Sequence, residues 1–476
     1  MLYRIPRQLA GVAALEGEYM SFPRYECYKE SGVEWLGEVP VGWEVKPVKA
    51  FSTCNDDVLE DSTPADYEIE YVEISGVNAD RGIMETTTIP FGAAPSRARR
   101  RVKDGDVIVS TVRTYLRAIA PVIQPAVNMI VSTGFAVVRP RSVQSSFLGY
   151  LFRSEFMISG VIARSVGVSY PAINASELIR LKVPFPHLPE QHTIAAFLDR
   201  ETGKIDELVA EQERLIALLK EKRQATISNA VTKGLNPDAP MKDSGIEWLG
   251  AVPVGWDLPK LKHFTQFGGG GTPSRENLDY WNGNIPWISP KDMKVECIES
   301  SEESITESGL ANSSSTLVPP GRVLMVVRSG ILKHTIPVAI NDVPVALNQD
   351  MKALDFTNIS CLSRFFMRWV QGLNDQLLLA WSKQGATVES IEQSYLAETV
   401  MPLPPLAEQT AITAFIDSET DKIDALVGEA RLAIGLLKER RSALISAAVT
   451  GKIKVPDSDR SDLSDLSEGF CQTDFS

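Results

Sequence analysis

The chain repeats two of its own segments, and this duplication constrains its fold more than any other feature. Residues 29–43 return as residues 242–256 with few changes. Residues 184–232 return as residues 402–450, and 29 of the 49 aligned positions are identical. The stretches between the paired segments look almost unrelated in sequence. The duplication therefore predicts a pseudo-two-fold internal repeat in which similar ends frame two different inserts.

The length of the chain also predicts more than one domain. A chain of 476 residues is too long for a single hydrophobic core, and each insert has an ordinary domain length. The expected order is an N-terminal extension (1–28), a first domain (29–186), a first repeated helix (187–235), a second domain (236–403), a second repeated helix (404–452) and an acidic tail (453–476).

The repeated segments after the inserts predict two long helices. The first, over 190–231, follows Pro189, whose missing N–H costs little at a helix start, and Gly203 is a position where it could break. One apolar stripe would also fit a helix lying on its own domain, but two similar stripes favour an antiparallel coiled-coil pair. The stripes are Ile205, Leu208, Gln212, Leu215, Leu219, Thr226 and Ala230, and Ile423, Leu426, Ala430, Ala433, Leu437, Leu444 and Ala448.

Each insert mixes short strands with helices, which predicts an α+β class. Runs rich in Val, Ile and Tyr between turn residues are typical of strands. We therefore expect two globular α/β-mixed domains separated by the antiparallel pair of long helices. The predicted strands are 69–74, 106–111 and 134–138, then 285–288, 322–327 and 337–340, with helices near 146–160 and 360–384.

The charge of the chain is unevenly distributed. A net charge of −13 argues against a nucleic-acid partner at first sight. The C-terminal tail from residue 457 is rich in Ser and Asp, and we expect it to be disordered. In contrast, residues 93–117 hold seven Arg or Lys residues against two Asp residues. A basic stretch inside an acidic chain indicates a local site for an anionic partner.

No motif in the sequence supports catalysis or a metal site. The five cysteines are scattered, so neither a zinc site nor a disulfide framework is expected. The Gly-rich segment 268–274 lacks the Lys-Ser/Thr of a phosphate-binding loop, and no hydrolase or zinc-protease motif is present. No apolar run is long enough to span a membrane. We expect a cytoplasmic protein that binds rather than transforms its partner.

Candidate DNA contacts are basic, hydroxyl and aromatic side chains in the two inserts. Arg113, Tyr115 and Arg117 alternate and would share one face of a strand. Arginine can bind phosphate for affinity or guanine for specificity, although an Arg-rich run is equally compatible with a solvated loop. The candidates are Arg97, Arg99, Arg100, Arg101, Arg113, Tyr115, Arg117, Ser169, Tyr170, Thr272, Ser274, Arg275, Arg328, Ser329, Lys333, Lys383 and Thr387.

Several motifs together resemble the specificity subunits of type I DNA restriction–modification systems. The resemblance covers nearly the whole chain from about residue 22 to residue 455. The motifs that carry it are Ser-Gly-Val-Glu-Trp-Leu-Gly-Glu-Val-Pro (31–40), Gly-Gly-Thr-Pro-Ser (270–274) with Tyr-Trp-Asn-Gly-Asn-Ile-Pro-Trp (280–287), Asn348-Gln349, and Pro-Leu-Pro-Pro-Leu-Ala-Glu-Gln (402–409) with its earlier copy.

This resemblance implies a non-catalytic, two-part reader of DNA. Each insert would be a target recognition domain for one half of a bipartite, asymmetric site, and the helices would fix the spacer. The implied partners are double-stranded DNA, two methyltransferase subunits and motor-endonuclease subunits. S-adenosylmethionine, ATP and Mg²⁺ are implied on those partners, with no cofactor in this chain.

Two other functions and one feature of the N-terminus stay open at this stage. The chain could be a coiled-coil scaffold whose inserts bind proteins, or an enzyme that joins catalysis and recognition, which the missing motifs disfavour. The segment from Met20 looks like the family's usual start. Residues 1–19 are therefore either an extension or the product of a misassigned start.

Overall fold

The computed structural model describes residues 22–78, 81–167, 170–356, 360–383 and 388–456. The expected N-terminal extension and acidic tail lie largely outside these ranges. The chain divides into two compact units. Unit 1 comprises residues 1–212 and 432–476, and unit 2 comprises residues 213–431.

Unit 1 is built on two small sheets. One is antiparallel with the order β11-β10-β13-β4, and the other has the order β8-β5-β12-β9 with β5 and β12 parallel. The strands are β1 Tyr28–Glu30, β2 Glu38–Pro40, β3 Glu44–Pro47, β4 Ser52–Cys54, β5 Glu68–Val72, β6 Val77–Asn78, β7 Gly82–Ile83, β8 Thr87–Pro90, β9 Ala98–Arg101, β10 Val107–Ser110, β11 Ile119–Pro121, β12 Met129–Ser132, β13 Phe135–Pro140 and β14 Lys182–Phe185.

Helices cover one side of the antiparallel sheet in unit 1. The helices are α1 Ser145–Arg153, α2 Glu155–Arg164, α3 Ala175–Leu178 and α4 Leu188–Lys233, of which α4 continues into unit 2. The Ser154 hydroxyl caps α2 by accepting a hydrogen bond from the Met157 amide at 3.3 Å. Apolar residues of α1 and α2, such as Phe147 and Met157, pack with β10 and β13 in one core.

Unit 2 repeats this plan. Its first sheet has the order β17-β24-β21-β22-β19, antiparallel except that β19 is parallel to β22, and its second sheet has the order β20-β18-β23 with β18 and β23 parallel. The elements are β15 Met241–Asp243, β16 Ala251–Pro253, β17 Thr265–Gly269, β18 Trp281–Ile288, β19 Cys297–Ile298, β20 Glu303–Ile305, α5 Glu307–Ala311, β21 Val323–Val326, β22 Val338–Asn341, β23 Ala346–Leu347, β24 Met351–Phe356, α6 Ser363–Gly372, α7 Asn374–Trp381, α8 Gln393–Glu398 and α9 Leu406–Val449.

The two inserts therefore share one topology despite their dissimilar sequences. Strands β4, β10, β11 and β13 correspond to β17, β21, β22 and β24 in both order and direction. Strands β5, β8 and β12 correspond to β18, β20 and β23 in the same way. The α+β prediction is confirmed, and the predicted strands and helices coincide with described elements. The sequence comparison missed the likeness between the inserts because sheet pairing needs only a matching apolar pattern.

The two long helices are antiparallel within each unit. In unit 1, Asp206 of α4 pairs with Arg441 of α9, with Nε and Oδ1 2.9 Å apart. In unit 2, Leu219 of α4 packs with Ile423 and Val427 of α9. Nearer the C-terminus of α4, Ile227 shares a core with earlier residues of α9.

The structure settles two details of the helix prediction. Helix α4 continues through Gly203 without a break, because the surrounding helix offsets the small cost of one glycine. The predicted stripe is also only partly buried, since Leu208, Leu215 and Leu426 are more than 40% exposed. An ideal helix drifts relative to a seven-residue repeat, so a continuous stripe does not stay in one seam without supercoiling.

The repeated Glu-Gln motif at the start of each long helix has a structural role. Gln191 is fully buried, and its Nε2 donates to the Pro186 carbonyl while its Oε1 accepts from the Gln144 amide, both at 2.9 Å. Gln409 makes the equivalent contacts with Pro404 and Leu362 at 2.8 Å. Each glutamine thus ties a long helix to the start of a short helix, α1 in unit 1 and α6 in unit 2.

The tryptophans of the repeated hairpins divide into two classes. Trp43 and Trp256 are 1% exposed. Trp35 is half-exposed, stacks on Phe156 with ring centroids 5.0 Å apart and lies under the Arg164 guanidinium. Packing within each unit therefore explains why Trp35, Trp43 and Trp256 are present in the repeated segments.

Candidate nucleic-acid interface

A sharp basic turn follows strand β10 in unit 1. Thr114–Leu116 form one turn of 3-10 helix, and the flanking residues Arg113 and Arg117 have left-handed backbones with φ of 50° and 53°. This conformation costs a non-glycine residue about 1–2 kcal/mol, so the neighbouring structure must hold it. The prediction that Arg113, Tyr115 and Arg117 share a strand face is wrong, because the strand ends at Ser110.

A neighbouring segment fastens this turn. The Ile173 amide donates to the Thr111 carbonyl at 2.9 Å. The Thr114 amide donates to the Pro171 carbonyl at 3.3 Å, and the hydroxyl of Thr114 is hydrogen-bonded to that of Ser165. These bonds bring two stretches that are far apart in the sequence to one side of unit 1.

The fastened turn presents Arg113 together with aromatic side chains. The Arg113 guanidinium lies 5.0 Å from the ring centroid of Tyr170. Tyr115 and Tyr170 are 53% and 66% exposed. Arg117 differs from Arg113 because it forms an ion pair with Glu155. Ser169 lies outside the described residues, so its place beside this turn stays a prediction.

Unit 2 has a corresponding turn after strand β21. Gly330–Lys333 form a 3-10 turn that begins with Ser329, whose hydroxyl accepts from the Ile331 amide. The Arg328 Nε donates to Asp350 Oδ1 at 2.6 Å, and Arg328 and Lys333 are exposed. The candidate residues Arg328, Ser329 and Lys333 therefore lie together on one short turn.

The segment before Ile391 fastens the turn in unit 2. The Ile391 amide donates to the Val327 carbonyl at 2.8 Å, and the Ser329 amide donates to the Glu389 carbonyl at 3.0 Å. Lys383 contacts this segment in two ways. Its amide donates to the Ser390 carbonyl at 2.8 Å, and its Nζ lies 3.6 Å from a carboxylate oxygen of Glu392. Thr387 lies outside the described residues.

The Arg-rich run of unit 1 lies in and just before strand β9 and is not a loop. Strand β9 pairs with β12, and on its other edge the Leu59 amide donates to the Arg99 carbonyl and the Arg101 amide to the Asp57 carbonyl. The arginines of the run meet acids of the same unit: Arg97 pairs with Glu73, Arg99 with Asp61 at 3.3 Å, and Arg101 with Asp57 at 3.8 Å.

These acids reduce the positive charge that the Arg-rich run can offer to DNA. The nearby Tyr71 hydroxyl and Glu73 carboxylate raise the pKa of Arg97. Arg100 is half-buried, and burial lowers its pKa. A DNA phosphate would have to displace a carboxylate from Arg97, Arg99 or Arg101, so this run is a weaker cation source than its sequence indicates.

Arg275 of unit 2 is held in an aromatic and acidic cage. Its guanidinium lies 4.0 Å from the Trp281 ring centroid, 5.3 Å from that of Trp287, and 2.9 Å from a Glu303 carboxylate oxygen. The hydrogen bond from Arg275 lowers the pKa of Glu303. The side chain is about half exposed, but its planar fork is already occupied.

Thr272 and Ser274 border the same cage. The Thr272 hydroxyl donates to the Gln349 side chain. The Ser274 carbonyl accepts from Trp281 Nε1 at 3.1 Å. These contacts brace the Gly-rich loop, so the local structure already accounts for part of the sequence pattern.

The structure therefore brings the described candidates into four places: the two turns with the segments that fasten them, the run at strand β9, and the cage. Sequence reasoning missed two residues beside the unit 2 turn, Asp350 and the half-exposed Val388. Asp350 follows the Asn348-Gln349 pair, which was the available signal. It also missed Lys352 of β24, whose pKa is lowered by burial.

Within the described ranges, no three His, Cys, Asp or Glu residues are grouped as metal ligands. The described helices also include none that is long and apolar enough to cross a membrane.

The comparison with protein families decides to which family the chain belongs. The family described as "Type I restriction modification DNA specificity domain" matches residues 40–216 and again residues 253–429, together more than half of the chain. The chain belongs to this specificity family. Each match begins in a repeated hairpin and ends within a long helix, so the family unit coincides with the internal repeat.

Curated relatives carry the same family name. The chain is 32% identical over 244 residues to the EcoR124I/EcoR124II specificity subunit of Escherichia coli, which covers 50% of this chain and 55% of the relative. It is 22% identical over 455 residues to the putative MjaX specificity subunit of Methanocaldococcus jannaschii, which covers 92% and 99%. The chain spans about half the length of the Escherichia coli relative.

Solved structures share the fold. A chain from a study titled "Structural basis underlying complex assembly and conformational transition of the type I R-M system" gives a TM-score of 0.68 at 22% identity, covering 86% of this chain and 98% of that chain. The HsdS subunit from Thermoanaerobacter tengcongensis gives 0.50 at 23% identity, covering 87% and 98%. Both likenesses concern the fold of the specificity family.

Proposed function

We propose that this chain is the DNA sequence-specificity subunit of a type I restriction–modification complex. The observation that carries the proposal is the duplicated fold with differently equipped turns. Arg113 lies on Tyr170 in one unit, and Arg328 is paired with Asp350 in the other. One scaffold presenting two different sets of base-contacting chemistry suits a reader of two different half-sites.

Each unit then acts as a target recognition domain for one half of a bipartite, asymmetric site in double-stranded DNA. The turns are exposed and basic, and they are braced by hydrogen bonds from within their own units. Bracing limits the entropy lost on binding, which favours discrimination between bases. The long helices fix the length of the spacer between the two half-sites.

The long helices also dock two methyltransferase subunits. Leu208 and Leu436 of unit 1 are 45% and 51% exposed, and Leu426 and Leu218 of unit 2 are 48% and 52% exposed. Exposed leucines on a paired helix suit a helical protein partner. Because each unit carries an equivalent pair, the surface supports two copies of the same partner.

Catalysis belongs to the partner subunits in this proposal. S-adenosylmethionine is bound by the methyltransferase subunits, and ATP and Mg²⁺ are bound by motor-endonuclease subunits when these join the complex. The present chain contributes recognition and assembly without a cofactor of its own, and the assembled complex works in the cytoplasm.

A competition gel-shift with the assembled methyltransferase complex tests this function. We expect one duplex sequence to compete at least about 1,000-fold better than unrelated DNA at the same salt concentration. Equal competition by all duplexes would refute the specificity function. In that case the alternative of a coiled-coil scaffold for proteins would gain support.

A further inference from the structure

We propose that Arg113 and Arg328 are base-contacting residues on corresponding turns, one in each unit, and that Asp350 restrains Arg328 as a competing partner. The inference rests on the proposed function and specifies which side chains read the two half-sites. It arises from the corresponding topology of the inserts rather than from sequence likeness between them.

The equivalence begins with the strands. Arg113 follows β10, the strand between β11 and β13, and Arg328 follows β21, the strand between β22 and β24. A valine precedes each arginine and a hydroxyl residue follows it, as Val112-Arg113-Thr114 and Val327-Arg328-Ser329. The unit 1 turn has one more residue before its arginine, because Val112 makes the β-bridge to Ala172 that Arg328 makes to Ser390. Both arginines nevertheless lie on the connection that leaves the middle strand of a sheet at the same end.

The hydrogen bonds of the two turns also correspond. The Thr114 and Ser329 amides each donate to the carbonyl two residues before an isoleucine, Ile173 or Ile391. In the aligned segments that carry these carbonyls, Tyr170 corresponds to Val388. An aromatic side chain in one unit therefore stands where an aliphatic one stands in the other.

A third element completes each turn. The Thr111 amide donates to the Gly134 carbonyl, and the Val327 amide donates to the Asp350 carbonyl, both at 2.8 Å. The amides of Gly134 and Asp350 are each capped by a side chain two residues earlier. Gly134 and Asp350 hence occupy equivalent positions, and only the second carries a carboxylate.

This difference changes the charge that each arginine meets. Arg113 lacks a carboxylate partner among the described residues and rests on an exposed ring. Its fork of donors is free to make a bidentate contact with a guanine edge. Arg328 must first break its ion pair with Asp350 to make such a contact. The same ion pair weakens the attraction of Arg328 to DNA phosphates of any sequence.

The test measures binding of the methyltransferase complex to duplexes that each differ from the target by one base pair. We expect Arg113→Ala to weaken target binding by about 10- to 100-fold and to abolish discrimination at a position of one half-site only. Arg328→Ala should do the same in the other half-site. Arg113→Lys, which keeps the charge but loses the planar fork, should also lose discrimination.

Asp350→Asn tests the restraint by the carboxylate. This variant keeps the backbone bonds of the turn and removes the negative charge. We expect tighter binding to unrelated duplexes, and a slope of log affinity against log salt concentration that is steeper by about one. Arg141→Ala and Lys260→Ala, which remove exposed cations elsewhere in the two units, serve as controls and should preserve discrimination.

The outcomes separate this inference from the proposed function. If the wild-type complex itself fails to discriminate between duplexes, the proposed function fails. If the wild-type complex discriminates and the arginine variants keep full discrimination, or lose affinity equally for all duplexes, the inference is overturned. Thermal melting and subunit stoichiometry establish whether each variant is folded and assembled. If an alanine variant does not fold or assemble, the corresponding lysine variant, Arg113→Lys or Arg328→Lys, is tested in its place.

Discussion

Equivalent positions of the two units use different side chains for the same connection. Tyr150 of α1 donates to Asp199 of α4 at 2.7 Å. At the corresponding place, Arg368 of α6 donates to Asp417 of α9 at 2.6 Å. The acid is shared and its partner is not. The buried glutamines Gln191 and Gln409, by contrast, are identical in residue and in contacts.

The glutamine clamp leads to a stability prediction. Gln191→Ala would leave the Pro186 carbonyl and the Gln144 amide without their partner. Two unsatisfied groups, one of them only partly buried, cost about 2–6 kcal/mol. Amide hydrogen exchange should therefore accelerate in unit 1 and stay unchanged in unit 2. The exposed neighbour variant His192→Ala should alter neither, and a similar effect of both variants would contradict the clamp.

The sequence predicted the residue classes of the site better than their geometry. Arg113 and Tyr170 were both candidates, but their contact depends on hydrogen bonds between segments that are far apart in the chain. The left-handed backbone at Arg113 and Arg117 could not be foreseen, because arginine has no preference for it. The acids that pair with the Arg-rich run were likewise hidden, since they lie in other segments of the chain.

At the scale of elements, the long helices were predictable because their pattern is local and repeated. Their partial exposure was not, because it depends on how a 3.6-residue helix faces its partner. For the inserts, the single elements were predictable and their arrangement was not. Their strands followed from composition, whereas their shared topology emerged only from strand pairing, which joins residues distant in sequence.

The exposed leucines predict the stoichiometry of the complex. Leu218→Glu and Leu436→Glu each place a charge in one of the two equivalent docking surfaces. A buried unpaired charge is costly, so each single variant should retain one methyltransferase subunit instead of two. Native mass spectrometry can count the subunits. Glu221→Gln, an exposed change on the same helix, should retain both, and two subunits on each leucine variant would contradict this docking surface.

Helix length predicts the spacer of the DNA site. Seven residues inserted after Ala225, with seven more at the matching position after Ala443, keep the helix faces nearly in phase. Each insertion lengthens a helix by about 10 Å, or roughly three base pairs. Mapping of methylated sites should show a longer spacer with both half-sites unchanged. An altered half-site would argue against the helices as the spacer determinant.

At the scale of the whole molecule, net charge is a poor guide to function. A chain with a charge of −13 presents arginines at two braced turns. The duplicated fold preserves the framework while the side chains at the turns differ. The inserts could therefore diverge in sequence under a common scaffold, and that divergence is the source of two distinct specificities in the proposed function.

Methylated-base sequencing of host DNA, from cells that express the chain with its methyltransferase subunit, tests this account most directly. We predict methylation at one bipartite motif with two different half-sites and a spacer of unspecified sequence. Arg113→Ala and Arg328→Ala should each relax a different half. A single continuous motif, or methylation without any motif, would contradict the two-part reader.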